Sequence, residues 1–133
     1  MSDDELERIK QRKAEQILKI QSLPKEIVHI YTIEEFDRLI KIFPENVVIV
    51  DLWAEWCAPC LAFAPVFEKL QQEYSTEFIF VKVNVDQNIQ VAQRYRITAI
   101  PTTLFLKNGN ILKKFVGTMN YGTMKNIIEN IKS

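Results

Sequence analysis

The chain has 133 residues, with 17 basic and 17 acidic side chains and a formal net charge of zero. This length suits one domain with a sizeable core. The balanced charge offers no basic excess for nucleic acid and no acidic tail for a charged partner. No stretch approaches the roughly 20 apolar residues that a membrane span needs. We therefore expect neither nucleic-acid binding nor membrane insertion.

Residues 1–26 are predicted to form a separate, charged helical extension. Ser2 and Glu5 have the spacing of a capping box, and Pro24 predicts the end of the helix. A thin apolar stripe and one i,i+4 ion pair are predicted on this helix, formed by Leu6, Ile9, Ile17 and Ile20 and by Glu15 with Lys19. Two interpretations stay open, a lightly docked solvated helix and a contact for a partner or second copy.

The segments that follow alternate between strand and helix patterns. In chain order, the predicted elements are a strand at 27–31, a helix capped by Thr32, a strand at 47–53, a helix at 57–74, a strand at 78–84, a short helix capped by Asp86 and running through Arg94, strands at 102–107 and 111–116, and a last helix with an apolar stripe of Met124, Ile127, Ile128 and Ile131. Asn108-Gly109 predicts a hairpin turn. Right-handed crossovers then place helices on both faces of a mixed sheet, parallel in its first half and antiparallel in its second. The predicted class is α/β.

Both cysteines of the chain stand in the tetrapeptide Cys57-Ala58-Pro59-Cys60, where the buried strand 47–53 passes into a helix. Active sites in such sheets lie at the carboxyl ends of strands. Residues three apart on a helix are close enough for a disulfide that closes and opens with little backbone movement. So short a ring stabilises the fold little, by about 2 kcal/mol on the chain-entropy account. The pattern indicates a dithiol redox site.

The two sulfurs are not predicted to be equivalent. Cys57 lies at the first turn of the helix, where unpaired N–H groups and the positive end of the dipole lower the pKa of a thiol. We interpret it as the attacking nucleophile. Cys60, one turn further in, is expected to be less exposed and to act as the resolving thiol. Pro59 lacks an N–H, which suits the first turn of a helix.

Three other interpretations of the cysteines are less consistent with the sequence. A structural zinc site usually needs four ligands, and the chain offers two cysteines and His29. A cysteine hydrolase needs a histidine base, but His29 lies in a short strand-like run. An iron–sulfur cluster shared between two chains would need only two thiolates from each. We expect no metal site and no bound cofactor.

Five segments, taken together, are highly specific. They are Val50–Cys60, Val83–Asp86, Ala99–Thr102, Phe105–Gly109 and Val116-Gly117. On these segments the chain resembles the thioredoxin family from about Ile27 to Ile131. The resemblance implies a thioredoxin domain over residues 27–133, with a central mixed five-stranded sheet flanked by four helices. The extension is similar to that of archaeal thioredoxin-like proteins.

The resemblance also implies roles for residues around the cysteines. Asp51 is the one charge in its buried strand, where desolvation raises the pKa of a carboxyl group, and it would accept the proton of Cys60. Lys82 would lie near Asp51. The alternatives are that Asp51 is merely a buried acid satisfied by its neighbours and that Lys82 is a strand lysine that faces solvent. Pro101 would be cis and, with Ile100, would bind an extended substrate segment. Partners would cover an apolar patch of five residues above the supporting Trp53, namely Trp56, Ala58, Pro59, Ile100 and Gly117.

Two positions depart from the usual family pattern. Ala58 stands where glycine is typical, which should tune the redox potential modestly. Leu61 stands where many members carry lysine, so one stabiliser of the thiolate is lost and the docking surface becomes more apolar. Both changes bear on the choice of partners.

The expected function is protein-disulfide reduction, acting on disulfide-containing client proteins. The resemblance implies regeneration by a flavin- and NADPH-dependent thioredoxin reductase. A charged N-terminus without the apolar region of a signal peptide, and a single cysteine pair, predict a cytoplasmic protein. We expect a monomer, with weak association through the N-terminal helix as a second possibility. An oxidase or isomerase on the same fold and a non-enzymatic binding module are the alternatives.

Overall fold

The computed structural model describes the backbone of residues 2–21 and 23–132, and the side chains of the same residues apart from 14–21. The elements in chain order are α1 (Asp3–Gln21), β1 (Val28–Ile30), α2 (Ile33–Ile42), β2 (Val47–Trp53), α3 (Ala58–Tyr74), β3 (Ile79–Asn84), α4 (Ile89–Arg94), β4 (Thr102–Lys107), β5 (Asn110–Val116) and α5 (Tyr121–Lys132). The predicted order of strands and helices is confirmed, with most ends within one or two residues.

The five strands form one sheet in the order β1-β3-β2-β4-β5. Parallel pairing joins β3 to β1 and to β2, while β4 is antiparallel to both β2 and β5. The predicted change from a parallel to an antiparallel half is therefore confirmed. Strand β2 lies at the centre, and its carboxyl end leads directly to the cysteine pair.

Local sequence signals account for several of these boundaries. The Thr32 hydroxyl accepts a hydrogen bond from the Glu35 N–H at 3.1 Å, as the capping pattern predicts. Asn108 and Gly109 have φ values of 51° and 79°. Positive φ at both central residues is the geometry of the type I′ hairpin turn, which follows the twist of the strands.

The predicted cap of α4 is wrong by two residues. Asn88, not Asp86, is the N-cap, and its side chain accepts from the Val91 N–H at 3.4 Å. The reason lies at the end of β3, where the Asn84 side chain accepts from the N–H groups of Asp86 and Gln87 at 2.9 and 3.3 Å. This turn delays the start of the helix and leaves the Asp86 carboxylate available elsewhere.

Side chains alternate between two apolar clusters, one on each face of the sheet. Even-numbered residues of β2 pack towards α2 and α4, in a cluster that includes Phe36 and Val91. On the other face Ile49 shares a cluster with Phe63 and Phe67 of α3 and with Met124 of α5. Since strand side chains alternate with a period of two, Asp51 lies on the α3 face, two residues nearer to the cysteines than Ile49.

Helix α1 begins as predicted, with the Ser2 hydroxyl accepting from the Glu5 N–H at 3.2 Å. It ends at Gln21, before Pro24. Of its predicted apolar stripe, Leu6 is exposed and Ile9 is half-buried. The remaining predictions for this helix lie outside the described side chains, namely those for Ile17, Ile20 and the Glu15–Lys19 pair.

Within the described part of the chain, no helix is both long and apolar enough to cross a membrane.

Candidate active site

The cysteine pair sits at the junction of β2 and α3. Cys57 is the N-cap of α3, and Pro59 lies in the first helical turn as predicted. A disulfide joins Cys57 to Cys60, with their Cα atoms 5.2 Å apart. The structure therefore holds the oxidised form, and the prediction that the pair can close is confirmed.

The two sulfurs occupy different positions relative to the helix. The backbone N–H of Cys60 donates to Sγ of Cys57 at 3.3 Å, so the Cys57 side chain caps the N-terminus of α3. Both residues are buried, with exposed fractions of 4% for Cys57 and 2% for Cys60. Solvent access therefore hardly separates them. Their difference lies in the helix N-terminus, where an N–H bond and the dipole favour a thiolate on the capping residue.

The segment before β4 lies against the disulfide. The Ile100–Pro101 peptide bond is cis, as the resemblance implies. The carbonyl oxygen of Ile100 lies 3.8 Å from Sγ of Cys57. The Pro101 carbonyl accepts from the N–H of Gly117, which has a φ of 100°. A hydrogen bond therefore joins the segment before β4 to the segment after β5, one residue away from the carbonyl that lies near Cys57.

Exposed apolar side chains surround the buried disulfide. Trp56 is 72% exposed and Leu61 is 53% exposed. The other members of the predicted patch lie at the surface or half-buried around them, namely Ala58, Pro59, Ile100 and Gly117. A buried reactive bond under an exposed apolar rim suits the docking of another protein.

The hydrogen-bond partner of Trp56 is not predicted by the sequence pattern. Its indole N–H donates to the Asp86 carboxylate at 2.8 Å, across thirty positions of the chain. Asp86 follows β3 and belongs to one of the segments that carry the resemblance, but its spacing indicated only a helix cap. The hydrogen bond fixes an exposed indole beside the disulfide.

Asp51 is fully buried in the centre of the sheet. Neither of its carboxylate oxygens has a hydrogen-bond partner among the described residues. Burial raises the pKa of Asp51 from 3.8 to about 7, while the charge of Lys82 acts in the opposite direction. The predicted rise of this pKa is confirmed.

Lys82 is the neighbour of Asp51 across the β2–β3 pairing, as the resemblance implies. It is half-buried, and its ammonium lies 4.6 Å from the centre of the Trp53 ring. Lys82 and Trp53 also line a cavity of about 150 Å³ together with His29 and Glu55. The lysine therefore acts on Asp51 at longer range than an ion pair.

Among the residues that the structure describes, no group of three or more His, Cys, Asp or Glu side chains could hold a metal ion.

Known proteins match both the sequence and the fold. Residues 27–130 match the family model described as Thioredoxin. The thioredoxin of Bacillus subtilis is 45% identical over 73 residues, which cover 55% of this chain and 70% of that protein. Thioredoxin-T of Drosophila melanogaster is 37% identical over 84 residues, 63% of this chain but only 54% of the relative. A reduced Schistosoma mansoni thioredoxin gives a TM-score of 0.72 at 32% identity, covering 79% of this chain and 97% of that one.

A cysteine pair that closes at a helix N-terminus can accept two electrons from thiols, or donate two to disulfides, by exchange. That chemistry is the work of a thiol–disulfide oxidoreductase. The match over most of its length shows that the chain belongs to the thioredoxin family. Within this class it is a protein-disulfide reductase, and its thioredoxin fold is confirmed.

Replacing Asp51 with asparagine should stabilise the oxidised protein at neutral and higher pH. The folded-state pKa of Asp51 is about 7 against an ordinary 3.8. The folded protein thus keeps a proton that the unfolded chain loses, and its free energy of unfolding falls as pH rises from about 4 to about 7. This loss amounts to about 1.4 kcal/mol for each pH unit. The free energy of unfolding of Asp51→Asn should therefore exceed that of the wild type by roughly 2–4 kcal/mol at pH 8 and by little at pH 4. Urea unfolding at both pH values measures this.

Asp37 provides a control of opposite sign. A hydrogen bond from Arg94 lowers the pKa of Asp37. The ionised carboxylate therefore stabilises the fold at pH values above the ordinary aspartate pKa, and this stabilisation is lost at low pH. Asp37→Asn should weaken the fold slightly at neutral pH. A gain for Asp51→Asn that is as large at pH 4 as at pH 8 would contradict the explanation by burial.

Proposed function

We propose that Cys57 attacks the disulfides of client proteins and that Cys60 resolves the resulting mixed disulfide. The placement of Cys57 as the N-cap of α3, with the Cys60 N–H directed at its sulfur, carries this proposal. A thiolate is favoured there, and the thiolate is the form that attacks.

In the first step, the Cys57 thiolate attacks one sulfur of the client disulfide. The client S–S bond breaks, a bond forms between Cys57 and the client, and the other client sulfur leaves as a thiolate that takes a proton from water. In the second step, the Cys60 thiol gives its proton to the Asp51 carboxylate, and the Cys60 sulfur attacks Cys57. The second client sulfur leaves, two electrons have passed to the client, and the Cys57–Cys60 disulfide has formed.

The position and pKa of Asp51 support its role as the proton acceptor. It lies on the α3 face of the sheet, towards the first turn of that helix, which holds Cys60. A general base works best when its pKa is near the working pH, and burial raises the pKa of Asp51 to about 7. Lys82 limits that rise by its positive charge, with Trp53 beneath the site holding its ammonium.

Client binding is assigned to the apolar patch and to the backbone beside the disulfide. The patch residues are Trp56, Ala58, Pro59, Ile100 and Gly117. An extended client segment would lie along the Ile100–Pro101 backbone and bring its disulfide to Cys57. Leu61, exposed beside this patch, adds apolar surface where a charged side chain would repel basic clients.

Regeneration is assigned to a thioredoxin reductase, which carries the flavin and draws electrons from NADPH. The chain itself would bind no cofactor, because its cysteine pair stores the electrons. Family membership supports this assignment, and it also supports clients that contain disulfides. We place the protein in a reducing cytoplasm. We also propose that it is a monomer, because exchange needs an open face around Cys57.

The two cysteines should respond differently to replacement by serine. Cys60→Ser keeps the attacking sulfur, so the variant should accumulate mixed disulfides with an oxidised client such as insulin. Cys57→Ser should form none and show no turnover. Mass spectrometry of the unreduced mixture measures both. Equal activity in the two variants, or trapping by Cys57→Ser alone, would contradict the assignment.

Coupling to a reductase tests the direction of electron flow. With NADPH and a purified thioredoxin reductase, insulin reduction should consume NADPH in proportion to the chain added, and Cys57→Ser should consume none. The redox potential should lie nearer to the roughly −270 mV of thioredoxin, the reference protein of this family, than to the roughly −120 mV of a strong oxidase. A strongly oxidising potential would instead favour the oxidase or isomerase alternative.

The domain boundary can be tested by truncation. We propose that residues 27–133 form the thioredoxin domain and residues 1–26 the extension. Leu23 packs in the core, and the Lys25 carbonyl accepts from the Gln71 side chain at 2.8 Å, so the truncation should start at Leu23. Removing residues 1–22 should leave insulin reduction unchanged, and both proteins should sediment as monomers of their own chain mass. Lost turnover, or a difference in oligomeric state between the two proteins, would give the extension a role in the reaction or in assembly.

A further inference from the structure

One row of residues crosses the sheet beneath the active site. Asp51 on β2 is paired with Lys82 on one side and with Thr103 of β4 on the other. Residues directly opposed in an antiparallel pair point to the same face, with Cβ atoms about 4.5–5.5 Å apart. The Thr103 hydroxyl group therefore lies on the same face as the Asp51 carboxyl group, and both residues are fully buried.

The polar atoms of this pair are unpartnered. The Thr103 hydroxyl and both carboxylate oxygens of Asp51 have no hydrogen-bond partner among the described residues. Thr102, the preceding residue, is equally buried, but its hydroxyl donates to the Ala99 carbonyl at 2.6 Å. Buried polar groups are normally satisfied by protein or by an ordered water. Three such atoms side by side indicate a shared partner.

We propose that Thr103 is a positioning residue for Asp51, whose hydroxyl holds the carboxyl group through one shared water molecule for proton transfer from Cys60. This inference rests on the proposed role of Asp51. A hydroxyl group suits the task in both states of the reaction. It donates towards the ionised carboxylate, which can only accept, and it accepts once the carboxyl group carries the proton.

Removing the hydroxyl should shift the titration of Asp51. The hydroxyl orients the shared water so that the water donates to the carboxylate. Because hydrogen bonds to ionised groups are about twice as strong as those between neutral groups, this arrangement favours the carboxylate form. Thr103→Val, which keeps the shape of the side chain, should therefore raise the pKa of Asp51 by about one unit. The proton acceptor would then be available only at higher pH.

Among the described residues, the other ionisable groups around Asp51 remain unchanged in this variant. They are Lys82 on β3, His29 beyond it on β1, Glu55 on the cavity shared with Lys82, and Cys57 and Cys60 at the start of α3. On β4 and β5, Thr103 and its partner Phe115 are both neutral. A shift on changing Thr103 thus reports the hydroxyl and no lost charge.

The reaction of the reduced full-length protein with 5,5′-dithiobis(2-nitrobenzoate) tests the proposal. Attack by Cys57 releases one thionitrobenzoate and leaves a mixed disulfide, and closure by Cys60 releases the second. Stopped-flow recording from pH 5 to pH 9 gives the pH profile of each release. For Thr103→Val, the midpoint of the second release should move up by about one pH unit, with a rate up to about tenfold lower below the midpoint. Thr103→Ser should restore the wild-type profile.

A double-mutant cycle with Asp51→Asn separates positioning from general packing. If Thr103 acts through Asp51, Thr103→Val should slow the second release in the wild-type background and leave it unchanged when Asp51 is asparagine. Equal slowing in both backgrounds, or an unmoved midpoint, would overturn the proposal. If Thr103→Val does not fold, Thr103→Ala removes the same hydroxyl. Asp51→Asn with unaltered second release would instead refute the role of Asp51 itself.

Discussion

Strand β2 is hydrogen-bonded along both edges, by β3 in parallel and by β4 in antiparallel orientation, and the site depends on that position. Helices pack against both faces of the sheet at this central strand, so the Asp51 side chain is buried. The same pairing fixes the direction in which the strand ends, which brings Cys57 to the N-terminus of α3. The central position of β2 therefore determines where both Cys57 and Asp51 lie.

The chemistry and the stability of the site oppose each other at Asp51. An unpartnered carboxyl group in an apolar layer is costly to ionise, and that cost is what brings its pKa near neutrality. A threonine hydroxyl and a lysine across the neighbouring strands moderate the cost without cancelling it. Buried groups that break the usual rule of satisfaction are expected at functional sites. Among the described residues, three of the four unpartnered buried side-chain atoms belong to Asp51 and Thr103.

The features that the sequence could predict are those encoded locally. The apolar run of β2, the Asn108-Gly109 turn and the Cys57–Cys60 spacing each need only a few neighbouring residues. The cap of α4 was mispredicted because the Asn84 side chain captures the N–H groups that follow it, which shifts the helix start. The Trp56–Asp86 bond joins two loops thirty positions apart, and no periodicity reports it.

The pairing of Asp51 with Thr103 was out of reach for a different reason. Register is normally read from alternation of apolar and polar residues, but β2 and β4 are buried on both faces and carry no such alternation. The hairpin turn fixes β4 against β5 only. The register against β2 follows from packing on both sides of the sheet, which a single sequence does not display.

The two departures from the family pattern lie on the exposed surface around the cysteine pair, to which we assign partner binding. Ala58 and Leu61 are both exposed, and the Cys60 N–H still reaches the Cys57 sulfur with Ala58 between them. The residues to which we assign the proton transfer, Asp51 and Thr103, are buried in the sheet. On the proposed roles, we expect partner choice and proton transfer to vary independently, the first through the exposed residues around Cys57 and the second through the buried row of Asp51 and Thr103.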